Sequence, residues 1–331
     1  GYYESDFSAV FMIALPIFSA ILLGDAGYGF LLLMCGIGLY KPMSKVGGRD
    51  KVWLLLTIGA ATLVYGVLMG SYFGFGPDQF ALFGGYVKES GGELVGDLTA
   101  ARQGSGFWAM VSRITLALGP FWKTDADLVR MMLTKLSFIL GGIHLATSKA
   151  LRAAILFPDQ RALAELGWIL FILGMLGVIW ILFFGTAQLL VPFWVVLFLL
   201  ACGALLAVLF SVPHPNFFRR VFIGIASSLL GWLGAFGDLM SYIRLMAVGL
   251  ASFYIAMVSN DLAARAAVQL SWIAGLSIAM AGHLLNVALG AIAILAHGVR
   301  LNMLEFSNNA GVQWSGYSYD PFARRQLGKK E

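Results

Sequence analysis

Residues 231–258 read GWLGAFGDLMSYIRLMAVGLASFYIAMV. The stretch is long enough to cross a bilayer, whose hydrocarbon core needs about 20 residues of apolar helix, yet Arg244 sits near its middle. Arginine keeps its charge at any accessible pH, and placing one at mid-bilayer costs about 2.5–3.5 kcal/mol on insertion scales. A cation held there needs a partner. On a 100° helical wheel Gly234, Gly237, Ser241, Arg244, Val248, Ala251 and Ser252 share one stripe, so the face that carries the charge is mostly small and admits another helix closely.

The rest of the chain is as apolar as this stretch. Of 331 residues 60% are apolar and 12% charged, and the mean hydropathy of +0.84 is more than a soluble domain of this length could hide in its core. Long apolar runs fall at about 8–23, 26–40, 53–72, 131–148, 166–184, 192–212, 221–258 and 271–299. The chain therefore reads as a single all-α polytopic membrane domain of about eight spans. The first two runs are short and meet at Gly24-Asp25, which leaves open a seven-span reading with 8–40 as one bent element. Residues 1–220 hold the first six spans and 221–307 a long, steeply tilted two-helix hairpin. The polar tail 308–331 belongs on the cytoplasmic side.

Basic residues support this order, because cytoplasmic loops collect Lys and Arg. Lys41, Lys45, Arg49 and Lys51, then Lys149, Arg152 and Arg161, then Arg219 and Arg220, and finally Arg324, Arg325, Lys329 and Lys330 fall on one side. The other side carries fewer, mostly in the long outer loop 73–127, which is expected to cap the outer face with an amphipathic helix near 98–118. The net charge of +5 thus reflects topology and gives no support to nucleic-acid binding. Cys35 and Cys202 lie inside spans, so neither a disulfide framework nor a metal site is expected. No N-x-[ST] acceptor occurs, which favours a prokaryotic plasma membrane. His214, between prolines in a loop, reads as structural. The chain opens on Gly1 without a signal sequence and is expected to be part of a longer protein.

A second arginine repeats the problem posed by the first. Arg300 shares a wheel face with Gly282, Asn286, Ala293, Ala296 and His297. A helix over 221–258 alone is about 57 Å long at ~1.5 Å per residue, so it must tilt, kink or protrude. If the hairpin turns near Trp272, the two arginines lie at similar depth; if it turns at "SND", 259–261, they do not. Their partners are either carboxylates of this chain, with Asp25, Asp238 and Glu305 available, or a carboxylate carried by another protein.

"SYIRLMAVGLA", 241–251, resembles the "SYLRLWALSLA" signature of the membrane-embedded half of subunit a, or subunit I, of V-type and archaeal-type rotary ATPases. "HGVRLNMLEF", 297–306, is similar to a second signature, "HALRLHWVEF". "LGDAGYGFLL" at 23–32, "KLSFILGGIHLA" at 135–146 and "YDPF" at 319–322 follow the family in order. Met246 stands where the family often has Trp, the 73–127 loop is lengthened, and the family's large cytosolic N-terminal domain is absent from the sequence.

The resemblance implies a stator subunit of the Vo sector that forms two ion half-channels against a rotating proteolipid c-ring. Each ring helix bears a carboxylate, neutral when it faces lipid and ionised opposite a guanidinium. Arg244 would be the principal ring-facing cation and Arg300 its companion. Asp25, His144, Asp238, Ser241, His283, Asn286, His297 and Glu305 are candidates for lining the half-channels. Other partners implied are the remaining Vo and peripheral-stalk subunits, the cytosolic N-terminal domain and membrane lipid; no cofactor is implied, and ATP hydrolysis would belong to other subunits. Plainer roles stand beside these: Asp25 as a helix cap, His144 and His283 as packing histidines, Glu305 as a headgroup-layer residue beside Arg300. Two other classes compete. A secondary transporter would use the arginines to hold an anionic substrate but predicts inverted repeats, which the sequence does not display. An intramembrane aspartyl protease would use Asp25 and Asp238, but "AFGD", 235–238, has Ala235 where the GxGD pattern begins with Gly.

Overall fold

The computed structural model describes residues 7–90, 93–119, 121, 126–211 and 216–312. His214, the 319–322 motif and most of the tail lie outside them. Helices α1 (Ser8–Leu23), α2 (Ala26–Gly38) and α3 (Tyr40–Gly47) lead into α4 (Arg49–Met69). The outer loop carries α5 (Pro77–Phe83), a hairpin of β1 (Val87–Ser90) and β2 (Glu93–Gly96), α6 (Leu98–Gln103) and α7 (Phe107–Leu118). Then come α8 (Ala126–Leu156), α9 (Arg161–Phe184), α10 (Phe193–Phe210), α11 (Phe217–Ser241), α12 (Ile243–Gln269), α13 (Trp272–Ala293) and, beyond two π-helical stretches, α14 (Ser307–Ala310).

Six helical elements among the described residues are long and apolar enough to cross a membrane, rather than the eight expected. The difference lies in α1 and α2, of 16 and 13 residues, about 24 and 20 Å at 1.5 Å per residue against a core of about 30 Å. They meet at Gly24, whose φ of 66° ends α1 in a left-handed turn, a conformation that glycine adopts without penalty. They diverge from there with α4 packed along both. Glycines permit that approach: a Cβ at Gly66 would lie 1.9 Å from the Ala26 nitrogen, and one at Gly29 would lie 2.3 Å from the Leu63 nitrogen. The expected outer helix at 98–118 is two, α6 and α7, broken at Gly104-Ser105-Gly106.

The C-terminal elements are the longest. Phe217–Gln269 forms one helical run interrupted at Tyr242, and Trp272–Ala310 forms the next. The hairpin turns at Leu270-Ser271, where the Ser271 hydroxyl accepts from the Ala274 N–H to cap α13, so the turn near Trp272 is the one adopted. Gly275 packs on Ala263 and Ala267, and Gly282 on Ser259. That register, carried inward, sets Arg300 within about one turn of the level of Arg244.

The core gathers Phe18, Ile21 and Leu22 of α1, Phe138 and Leu145 of α8, Ile172 and Ile179 of α9, and Leu239, Tyr242 and Leu245 at the α11–α12 junction. Helix α1 runs with α12 and against α13: Ile21 meets Gly249, Leu23 meets Gly290, Leu15 meets Gly298, and Phe7 and Phe11 meet the Phe306 ring.

Candidate functional site

Arg244 is the second residue of α12, directly after the break at Tyr242. Its side chain is half-buried, and its Nη2–H reaches the Ser241 hydroxyl at 3.4 Å. None of the ion pairs among the described residues includes it. Beside it the stripe is open: a Cβ at Gly234 or Gly237 would meet nothing within 4 Å among the described residues. Ser252, placed on the same stripe by the wheel, instead faces inward with Leu245, Gly249 and Ala256, and donates to the Leu23 carbonyl at 3.1 Å; eight residues at 100° set it 80° from Arg244 on the wheel.

Arg300 lies between two π-helical stretches, Ile294–Gly298 and Leu301–Phe306. Each π turn adds a residue to the usual repeat and rotates the side chains that follow it. The expected common face is therefore broken. Asn286 and Ala293 are buried within the chain, whereas Arg300 leaves 49% of its side chain exposed. Its Nε lies 3.6 Å from the buried Glu305 carboxylate, so the carboxylate of this chain that was available to it is in fact its neighbour. The other Glu305 oxygen is buried without a hydrogen-bond partner among the described residues.

Two polar networks flank the arginines along the hairpin. Toward the turn, Asn286 donates to the Tyr28 hydroxyl at 3.0 Å and to the Ser252 carbonyl at 2.9 Å. Tyr28 Oη is 2.8 Å from His283 Nδ1, and His283 Nε2 is 3.0 Å from Asn260 Oδ1. Since Asn260 donates its amide N–H to the Phe73 carbonyl, its oxygen faces the ring. Nε2 therefore carries the imidazole proton and Nδ1 accepts from the tyrosine. Away from the turn, Asn309 bridges Asp238, at 2.6 Å, and the Glu305 carbonyl, at 2.7 Å. His144 Nδ1 meets the Tyr242 hydroxyl at 2.7 Å, and the ring stacks on Phe306 at 4.6 Å, while His144 Nε2 is buried without a partner among the described residues. His297 lies half-buried in the first π-helical stretch.

Asp25 adjoins the first network through Phe73, whose carbonyl accepts from Asn260. Its two oxygens accept from Gly27, Phe73 and Gly74 N–H groups and from the Ser71 hydroxyl, at 2.6–2.8 Å. It caps α2 and clamps the 71–74 loop. That loop in turn lies against the hairpin, with Gly74 on Ala256.

Several participants carry no signal in the sequence. Tyr28 and Tyr242 look like ordinary aromatics of apolar helices, and Asn260 reads as a turn residue. Lys149 and Glu165 form a buried pair, 3.4 Å apart and each with 9% side-chain exposure; Arg152 joins Glu165 at 3.1 Å. Both basic residues sort to the inner side from charge pattern alone, but their common acid is distant in sequence.

The fold and site define a polytopic helical membrane protein that presents two arginines on a long C-terminal hairpin between two hydrogen-bonded polar networks. No family model matches the chain. Along its length it is similar to V-type ATP synthase subunit I 1 of Treponema pallidum, 30% identical over 98% of this chain and 48% of that protein. It is also similar to V-type ATP synthase subunit I of Borreliella burgdorferi, 27% identical over 98% and 50%. With A-type ATP synthase subunit I of Methanocaldococcus jannaschii the identity is 26% over 97% and 45%. The chain is homologous to V-type and A-type ATP synthase subunit I proteins over nearly its whole length and spans about half the length of the curated relatives it matches.

Proposed function

We propose that the chain is the stationary membrane part of a rotary V/A-type ATPase, without ATP-hydrolysing chemistry of its own. In this reading Arg244 meets the carboxylates of a rotating proteolipid ring, and the two polar networks line separate ion half-channels. The observation that carries the reading is the placement of Arg244: a half-buried guanidinium in an apolar helix, in no ion pair among the described residues, beside the open face at Gly234 and Gly237. A ring carboxylate arriving there is favoured in its ionised form, and each unit by which its pKa falls is about 1.36 kcal/mol. Carried on into lipid, the same carboxylate must take up a proton. An ion that enters through one half-channel then leaves through the other only by riding the ring, while the fixed cation blocks a direct leak.

Arg300 plays a secondary part in this scheme, because Glu305 already neutralises much of its charge. On the side of the hairpin turn Tyr28 and His283 are the groups able to exchange a proton, and the Asn260 and Asn286 amides hold them in place. Asp238, Glu305 and Asn309 supply acids and an amide on the other side. Ser241, His144 and His297 lie between or beside these groups. Asp25 belongs to the scaffold that holds the first network.

The test is ATP-driven proton pumping by the assembled complex in vesicles. Arg244→Ala is expected to assemble and to abolish pumping; normal pumping by an assembled mutant would refute the proposal.

A further inference from the structure

Helix α7, in the outer loop, is amphipathic with its sides reversed. Its inward face is small and polar: Ala109, Ser112 and Thr115 are buried, and the Ser112 hydroxyl donates to the Pro77 carbonyl at 2.8 Å. Its outward face is Phe107, Met110, Ile114 and Leu118, each close to half exposed or more. The two faces follow from helical spacing, since the four apolar residues recur at intervals of three and four. A helix over water places such residues inward. With 12 residues, about 18 Å, it is too short to cross a bilayer.

The position of α7 says what covers that face. Gly119, which ends the helix, packs against Gly70 at the end of α4, and the Phe121 N–H bonds to the Leu68 carbonyl. The end of α7 thereby sits at the outer end of α4, a membrane-crossing helix whose Val64 and Leu68 face outward. Around its N-terminal end Trp108 stacks with Phe80 and meets Phe83 edge-on, and Arg113 is exposed along its flank. Aromatic rings and snorkelling cations are the residue types that settle at a membrane–water boundary.

We propose that α7 lies along the outer surface of the bilayer with Phe107, Met110, Ile114 and Leu118 sunk among lipid chains. It thereby anchors the outer loop to the membrane independently of the spanning helices. Through α5 and the 71–76 segment the anchor bears on the loop that Asp25 clamps against the hairpin.

Spin labels read this directly. With Cys35 and Cys202 replaced by Ala, nitroxides are introduced by Met110→Cys, Ile114→Cys and Leu118→Cys, and by Gln103→Cys at the exposed end of α6 as a control. The full-length subunit is measured in its assembled complex in lipid vesicles. Labels at 110, 114 and 118 are expected to collide several-fold more with dissolved oxygen than with a water-soluble nickel chelate, with the opposite order at 103. A preference for nickel at all three overturns the proposal, as does shielding from both reagents, which would mean that another protein covers the face.

Discussion

Arg244 is a half-buried guanidinium in an apolar helix, in no ion pair among the described residues. Lysine there is expected to fail, because a compact ammonium can shed its proton when buried whereas a guanidinium does not. Arg244→Lys should therefore lose most ATP-driven pumping while the complex still assembles, as measured in the same vesicles that test Arg244→Ala. The pair Lys149–Glu165 answers to a different rule, since removing one member strands the other in a low-dielectric interior. Glu165→Ala is expected to cost about 3–5 kcal/mol, seen as a fall in the unfolding midpoint of the purified subunit, with Arg152 softening the effect through its exposed side. An unchanged midpoint would show that Lys149 finds another acceptor. At this scale the arginines were legible, since a permanent charge in an apolar run is visible without any contact information. The tyrosines were not: Tyr28 and His283 meet across 255 positions of sequence, and nothing in either segment's pattern names the other.

Helix α4 shows how backbone proximity governs an element. A methyl group at Gly66 would collide with the backbone of Ala26, whereas one at Gly38 would meet nothing within 4 Å. Gly66→Ala is expected to force α2 away from α4 at a cost of at least about 1–3 kcal/mol and to lower the yield of assembled subunit. Gly38→Ala should leave both unchanged, and equal yields would contradict the packing. In the outer loop, burial pushes the carboxyl of Asp78 up from its ordinary range, and one of its oxygens is buried without a partner. A carboxyl with a raised folded-state pKa binds its proton more tightly folded than unfolded. The contribution of Asp78 to the loop's stability is thus largest at low pH and is lost as pH rises through the interval above the usual carboxylate value. Asp78→Asn should remove that dependence and slow hydrogen exchange in α5 at neutral pH. Hydrophobic run lengths located the long helices and the outer loop. They could not reveal the phase shifts at Tyr242 and across the π turns around Arg300, because a helical wheel assumes one repeat throughout. Asn286, grouped with Arg300 on the wheel, points inward because π turns lie between the two, and Ser252, grouped with Arg244, points inward because it lies at the edge of that stripe.

For the whole molecule, the charge pattern predicts that the 41–51 loop faces the cytoplasm and the 73–127 loop the opposite side. A membrane-impermeant thiol reagent added outside intact cells should label Lys88→Cys and spare Lys45→Cys; the reverse would invert the topology. The overall class was readable because apolar length and the distribution of Lys and Arg are properties of the chain as a whole. The number of full crossings was harder to read, since α1 and α2 are apolar yet too short to span alone and depend on α4 and the hairpin for cover. The account rests on a stationary guanidinium meeting an acid carried by a second, moving protein. The most direct measurement is a side-chain-resolved density map of the intact membrane complex. It should place Arg244 within about 4 Å of a proteolipid carboxylate across the Gly234–Gly237 face. A map with Arg244 turned inward onto Asp238 or Glu305, and no ring helix opposite it, would contradict the account.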